Sequence, residues 1–290
     1  MPVASVAVIG CGTMGSGISQ VCAQAKLPVL VTEMDEDALE GGMERIRAFL
    51  DRGVNRGKVA AEERDAILAG IVGTTRLGDL AECDLVIEAV SEDLDLKVRL
   101  FRRLDEICKA SCIFASNTSS LNITSLARET SRPESFIGLH FFNPALLMPL
   151  VEVVRTKLAK EEAVTEGIDF IRRLGKEPIV CDDQPGFIVN RLITPFLNEA
   201  MRALDGGLAS PADIDKAIRL GLGHPMGPFE LLDMVGLDTS RAVARSLHEQ
   251  TRDSQFASPP LLDRMVQDGA LGRKAGRGFF DYPPNRESND

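Results

Sequence analysis

His140 stands in the apolar block Gly138-Leu139-His140-Phe141-Phe142-Asn143-Pro144, and Glu152 follows twelve positions later in Leu150-Val151-Glu152-Val153-Val154. The chain has three histidines, and this one meets no polar neighbour before Asn143. A buried imidazole costs free energy unless both ring nitrogens find partners. A carboxylate isolated in a Val-rich, strand-like run meets the same cost. Bringing the two side chains together resolves both. Two readings of such a pair stay open on these segments alone: a structural pair closing two strands, or a base for neutral pH held in place by its acid.

A second group of residues has the spacing for a dinucleotide. Gly10-Cys11-Gly12-Thr13-Met14-Gly15 follows an apolar run and opens a helical one. Gly10 permits a tight turn, Gly12 lets the backbone approach a pyrophosphate, and Gly15 allows close helix–strand packing. Thr13 and Met14 begin the helix, whose N-terminus offers NH groups and positive potential to phosphate. Glu33 follows the run Val29-Leu30-Val31, 18 residues past Gly15. A carboxylate there accepts both ribose hydroxyls of adenosine and repels a 2′-phosphate. No arginine is adjacent in sequence, which favours NAD over NADP.

Three further polar positions have two readings each. Leu85 to Val90 runs into Ser91-Glu92-Asp93 and a helix carrying Lys97. Ser91 suits an ordinary N-cap with acids in the first turn. The carboxyl end of a parallel strand is also where a doubly wound sheet binds ligand, which would put Glu92 and Lys97 near the nicotinamide half. Ser116-Asn117-Thr118-Ser119-Ser120-Leu121 follows another strand-like run and suits either a helix cap or a substrate contact. Asn190, in Gly186-Phe187-Ile188-Val189-Asn190-Arg191, reads by itself as a core amide making local bonds.

The elements that must position these residues alternate. Val6 to Ile9, Val29 to Val31, Leu85 to Ala89, Cys112 to Ala115 and Phe136 to His140 read as short strands buried on both faces. Met14 to Gln24, Asp37 to Arg52, Ala61 to Ala69 and Leu96 to Lys109 have helical spacing. This order predicts an α/β, doubly wound, Rossmann-type sheet. Asp182-Asp183-Gln184-Pro185-Gly186 is a turn-forming break, after which Phe187 to Leu204, Pro211 to Leu220 and Pro228 to Leu247 read as helices. Ser210 offers an N-cap with Pro211 at the first helical position. The expected domains are 1–184, nucleotide-binding, and 185–290, all-helical.

Composition narrows the classes. The 290 residues are 44% hydrophobic, enough for a core, and carry a net charge of −10. That charge argues against a nucleic-acid partner, which calls for a basic face. No apolar run reaches the roughly 18 residues of a membrane span. The N-terminus reads as the first strand, with no signal-peptide pattern. The six cysteines form no paired Cys-x-x-Cys, so reduced thiols, a cytoplasmic location and no metal site are expected. Pro283 to Asp290 reads as a polar, frayed tail.

Taken together, the segments resemble the 3-hydroxyacyl-CoA dehydrogenase family. The resemblance rests on Gly10 to Ile18, Ser116 to Leu121, Gly138 to Pro144, Leu150 to Val153, Pro185 to Arg191, and His224-Pro225-Met226-Gly227-Pro228-Phe229-Glu230-Leu231. It covers nearly the whole chain and fits the short, monofunctional members. It implies NAD-dependent, reversible oxidation of an (S)-3-hydroxyacyl-CoA, a reaction used in fatty-acid breakdown. His140 then matches the catalytic base and Glu152 its carboxylate partner. Ser119 and Asn190 match the polar contacts to the substrate's 3-oxygen. Glu33 matches the ribose acid, often Asp in the family. Glu92, Lys97, Ser119 and Asn143 match nicotinamide-side contacts, and Lys274 matches a C-terminal cofactor contact. Arg52 and Arg56 lie in a segment resembling the region that meets the CoA, though a solvated helix end reads equally well. His224 and His248 match no chemistry. The resemblance also implies a homodimer through the helical domain and a site in the cleft between domains. Two rivals remain: a dehydrogenase of a free hydroxy acid, of the gulonate type, and a catalytically silent NAD-binding structural protein.

Overall fold

The computed structural model describes residues 2–282, so the tail expected from Pro283 onward lies outside the described residues. Two compact units divide the chain at Phe187 and Ile188. The expected boundary lies three residues earlier, at 184. Gly186 and Phe187 both have positive φ, 79° and 49°.

The first unit begins β1 (Val6–Ile9), α1 (Thr13–Gln24), β2 (Val29–Thr32), α2 (Glu36–Asn55), α3 (Ala61–Ala69) and β3 (Ile71–Thr74). It continues β4 (Leu85–Glu88), α4 (Leu94–Ile107), β5 (Ile113–Ser116), α5 (Ile123–Ala127) and β6 (Phe136–Phe141). It closes with β7 (Leu150–Arg155), α6 (Glu161–Arg173) and β8 (Glu177–Asp182). The strands form one sheet of order β3-β2-β1-β4-β5-β6-β7-β8. Its chain order reverses direction between β1 and β4, the switch point of a doubly wound sheet. All pairings are parallel except β6 with β7, which is antiparallel.

Helices cover both faces, which is why β1, and β4 as far as Glu88, are apolar. One core layer packs Val6, Val8, Val31 and Ile87 against Ile18, Ile46 and Phe170 from the helices. The other packs Ala7, Ile9 and Val86 against Phe101, Leu104 and Leu126. Phe101, Phe114 and Phe136 meet there with ring centroids 4.6–6.3 Å apart. Each buried ring contributes roughly 1.5–3 kcal/mol from water exclusion alone.

Several elements differ from the sequence reading. β3, β8 and α6 had no counterpart in it. β3 buries Ile71 but exposes Val72 and Gly73, and β8 is an edge strand with no buried residue, so neither shows a buried-strand run. α6 buries Ala163, Val164, Gly167, Phe170 and Ile171, one helical stripe. The expected N-cap Ser91 is displaced by Asp93, whose carboxylate accepts the Leu96 NH at 2.9 Å. A carboxylate at that position also suits the positive helix terminus.

The second unit consists of α7 (Val189–Asp205), α8 (Pro211–Leu222), α9 (Pro228–Val235), α10 (Leu237–Thr251) and α11 (Pro260–Gln267). Ser210 caps α8 as expected, accepting the Asp213 NH at 3.1 Å. The single helix expected over Pro228 to Leu247 is two helices, because Gly236 takes φ +99° and breaks the run. Leu197, Met201, Phe229, Leu232, Leu237 and Leu262 form this unit's core.

Candidate active site

The antiparallel pairing of β6 with β7 sets His140 directly opposite Glu152. Side chains of a directly opposed pair share one face of the sheet. His140 Nδ1 lies 2.7 Å from Glu152 Oε2. The imidazole is 5% exposed and the carboxylate 0%. An ionised carboxylate only accepts, so Nδ1 carries a proton, and in the neutral imidazole the lone pair is then on Nε2. The rings of Phe142 and Phe187 stand 4.5 and 5.5 Å away and keep the imidazole in apolar surroundings. The arrangement lets Nε2 act as a base while Nδ1 faces a partner for any positive charge the ring acquires.

The loop after β5 is tied to this strand and to β4. The Asn117 side-chain carbonyl accepts the Phe141 NH at 2.9 Å. Glu92 accepts from the Thr118 hydroxyl, from the Ser119 and Ser120 NH groups at 3.2 Å, and from the Ser120 hydroxyl at 2.9 Å. Partial burial pushes the Glu92 carboxyl up, but the Lys97 ammonium and the two hydroxyls outweigh it and hold it below the usual range. Ser119 therefore sits in a loop fixed at both ends.

Lys97 is placed differently from the sequence expectation of a cofactor contact. It is 1% exposed and lies 2.5 Å from the fully buried Glu88 and 3.2 Å from Glu92. Glu88 also accepts the Ser116 hydroxyl at 2.6 Å and the Val90 NH at 2.8 Å. Glu88 and Asn117 tie this region together through hydrogen bonds that the sequence reading passed over. Glu88 looks like one more residue of an apolar strand, and nothing local signals its lysine nine positions on.

The glycine loop meets the steric demands of a dinucleotide. A Cβ on Gly15 would fall 1.7 Å from the Gly10 carbonyl oxygen, so helix and loop touch there. A Cβ on Gly12 would meet nothing within 4 Å. Packing alone does not call for a glycine at that position, but a pyrophosphate lying against the backbone does. Thr13 and Met14 begin α1 as expected. Glu33 Oε1 accepts the Cys11 NH at 2.6 Å, so the carboxylate expected at the ribose is braced on the glycine loop. Arg45, distant in sequence, donates to the Cys11 carbonyl at 2.7 Å. The absence of an adjacent arginine in sequence thus does not carry over to space, although this guanidinium is engaged with the backbone. Burial pushes the Cys11 thiol up to about 11, which leaves it a protonated spectator.

Arg52 is in the last turn of α2, over the Phe49 ring at 5.7 Å, and Arg56 is the exposed C-cap. Arg45, Phe49 and Arg52 line a groove of about 280 Å³ with Gln20, Asn143 and Ala145. Gln20 is buried there with its Nε2 unpaired. Asn143 is exposed three residues past His140. In the second unit, Asn190 is half-buried in the first turn of α7, and Lys274 lies 2.7 Å from Asp238. His224 is exposed beside Phe196, and His248 Nδ1 meets the Asp253 carbonyl at 2.9 Å, so neither is poised as a base.

Residues 5–184 match the NAD-binding domain of 3-hydroxyacyl-CoA dehydrogenase, and residues 186–282 match its C-terminal domain. A 3-hydroxybutyryl-CoA dehydrogenase of Mycobacterium tuberculosis is 45% identical over 96% of this chain and 98% of its own. The human mitochondrial hydroxyacyl-coenzyme A dehydrogenase is 43% identical over 96% of this chain and 90% of its own. The crystal structure of an (S)-3-hydroxybutyryl-CoA dehydrogenase from Ralstonia eutropha is 41% identical and superimposes with a TM-score of 0.92, covering 97% of this chain and all of that one.

Proposed function

The chain belongs to the 3-hydroxyacyl-CoA dehydrogenase family, and from that premise we propose how its own residues carry the reaction. The protein is an NAD-dependent oxidoreductase that interconverts short-chain (S)-3-hydroxyacyl-CoA, such as 3-hydroxybutyryl-CoA, and the 3-ketoacyl-CoA. NAD, when bound, supplies the hydride acceptor. His140 Nε2 removes the 3-hydroxyl proton as the C–H bond of C3 is broken. Glu152 keeps the proton on Nδ1 beforehand and neutralises the imidazolium afterwards. In the reverse direction the imidazolium returns its proton to the ketone oxygen. Ser119 and Asn190 hydrogen-bond that oxygen and polarise the carbonyl. Glu33 holds the adenosine ribose, Thr13 and Met14 the pyrophosphate, and Glu92, Asn143 and Ser119 the nicotinamide half. Lys97 acts there through Glu92, and Lys274 is a further cofactor contact.

The observation that carries this reading is the 2.7 Å contact between a nearly buried imidazole and a fully buried carboxylate. A pair serving structure alone needs no second ring nitrogen left available for a proton. Arg52 and Arg56 are assigned to the CoA phosphates, supported by the groove that Arg52 lines. The test compares NADH oxidation with acetoacetyl-CoA and with free acetoacetate. Turnover of the thioester alone is the expected result. Preference for the free acid would support the hydroxy-acid rival, and NADH binding without turnover of either would support a silent protein.

Two wider assignments belong to the same reading. We place the protein in the cytoplasm, supported by six free thiols; among the described residues no helix is long and apolar enough to cross a membrane. We also assign a homodimer through the helical unit. Support comes from Leu192, Leu208, Leu220 and Leu222, large apolar side chains that this unit leaves exposed.

A further inference from the structure

We propose that Glu88, Lys97 and Glu92 form a charge triad of net −1 that makes the protein favour the oxidised over the reduced dinucleotide. This rests on the NAD assignment above, but concerns only cofactor binding.

Glu88 is not shaped to touch a ligand. It is 0% exposed, and its two oxygens are taken by Lys97 at 2.5 Å, Val90 NH at 2.8 Å and Ser116 at 2.6 Å. Lys97 is 1% exposed and bridges to Glu92 at 3.2 Å, with the Val90 carbonyl at 3.3 Å. Two carboxylates thus share one ammonium. Glu92 is held in its ionised form at neutral pH by that ammonium and by hydroxyl donors. One negative charge is left over. That charge lies beside a fully buried ion pair on a carboxylate that is 37% exposed, so water and salt screen it only in part. Keeping it costs stability unless something repays it.

The position of the triad suggests what repays it. Glu88 is the last residue of β4 and stands in register with Ile9, the last residue of β1. The Ala89 carbonyl that follows lies against Gly10, 2.8 Å from where a Cβ would stand. The triad is therefore at the sheet's switch point, beside the cofactor loop. Glu33, after β2, serves the adenosine on one side of that point. The β4 side is left for the nicotinamide half. The oxidised ring carries a positive charge and the reduced ring carries none. A net negative triad therefore attracts one form and is indifferent to the other. At an effective dielectric of about 20, a single uncompensated charge nearby is worth about tenfold in relative affinity.

Dissociation constants for NAD and NADH, measured by calorimetry without any acyl thioester, test the proposal. Glu88→Gln makes the triad neutral and is expected to raise the ratio of the NAD constant to the NADH constant about tenfold. Glu92→Gln should move the ratio the same way, and decides the matter if Glu88→Gln does not fold. The double variant Glu88→Gln with Lys97→Met returns the net charge to −1 and should restore the wild-type ratio. Ser116→Ala removes a hydrogen bond to Glu88 but no charge, and should leave the ratio unchanged. Equal weakening of both forms in the single variants, or no restoration in the double variant, overturns the proposal. The dehydrogenase reading fails separately, through loss of thioester turnover.

Discussion

Glu152 does more than aim His140. In the proposed reaction, proton uptake creates an imidazolium among Phe142, Phe187 and the sheet, and this carboxylate is in place to balance it. Glu152→Gln keeps the shape but removes the charge and presents a donor that can turn the ring's tautomer. We expect kcat to fall by about 10²–10⁴-fold, with NADH affinity unchanged, in steady-state and binding assays. An unchanged kcat would reduce the pair to a structural closure. In the proposed function, Arg52 is assigned to the other end of the substrate. Arg52→Ala should raise KM for acetoacetyl-CoA about tenfold and leave KM for acetoacetyl-pantetheine, which has no phosphoadenosine, as it was. Equal effects on both would place Arg52 away from the phosphates. At this scale, residues with a local anomaly were legible: His140 in an apolar block, the glycines before a helix, Glu33 after a strand. Glu88, Arg45, Asn117 and Gln20 were not, because their meaning comes from partners or cavities that only the fold brings near.

At the scale of elements, the antiparallel β7 is the departure from the doubly wound pattern that matters most. A parallel strand requires a long crossover, whereas β6 and β7 are joined by a short loop that carries Asn143. The reversal puts Glu152 opposite His140, and a slip of one residue would turn one of them to the other face. Another anchor lies at the opposite end of the sheet. Asp84, before β4, accepts the Ala4 and Ser5 NH groups at 2.9 Å and Lys109 at 2.7 Å. Partial burial pushes its carboxyl up, but these donors outweigh it and bring the pKa down to about 2. A depressed folded-state pKa stabilises above the unfolded value and is lost as pH falls through the folded one. Asp84→Asn should therefore lower Tm by about 2–4 °C at pH 7. The gap should close between about pH 4 and pH 2, as thermal melts across that range would show. A gap that persists at pH 2 would mean that packing, not charge, is responsible. The central strands and most helices were legible because burial on both faces, or on one stripe, marks them. β3 and β8 were not, since edge strands lack that mark, and Gly236 ends a helix by a positive φ that an apolar run hides.

At the scale of the molecule, the two-part organisation follows from a change of texture. Alternating short strands and helices stop at Asp182-Asp183-Gln184-Pro185-Gly186, and among the described residues the named elements that follow are all helices. What sequence does not reveal is which apolar residues of the helical unit face its own core. Leu197, Met201 and Leu232 do, whereas Leu192, Leu220 and Leu222 are exposed, although all lie on similar apolar helices. If the exposed set is the dimer face, Leu220→Glu with Leu222→Glu should halve the mass measured by light scattering without loss of helicity. A wild-type protein that already runs as a monomer would remove the homodimer from the account. The activity itself is most directly tested at one side chain. NADH consumption with acetoacetyl-CoA should fall by at least about 10³-fold in His140→Ala while NADH still binds as in the wild type. Equal rates in the two proteins would contradict the assignment of His140 as the base.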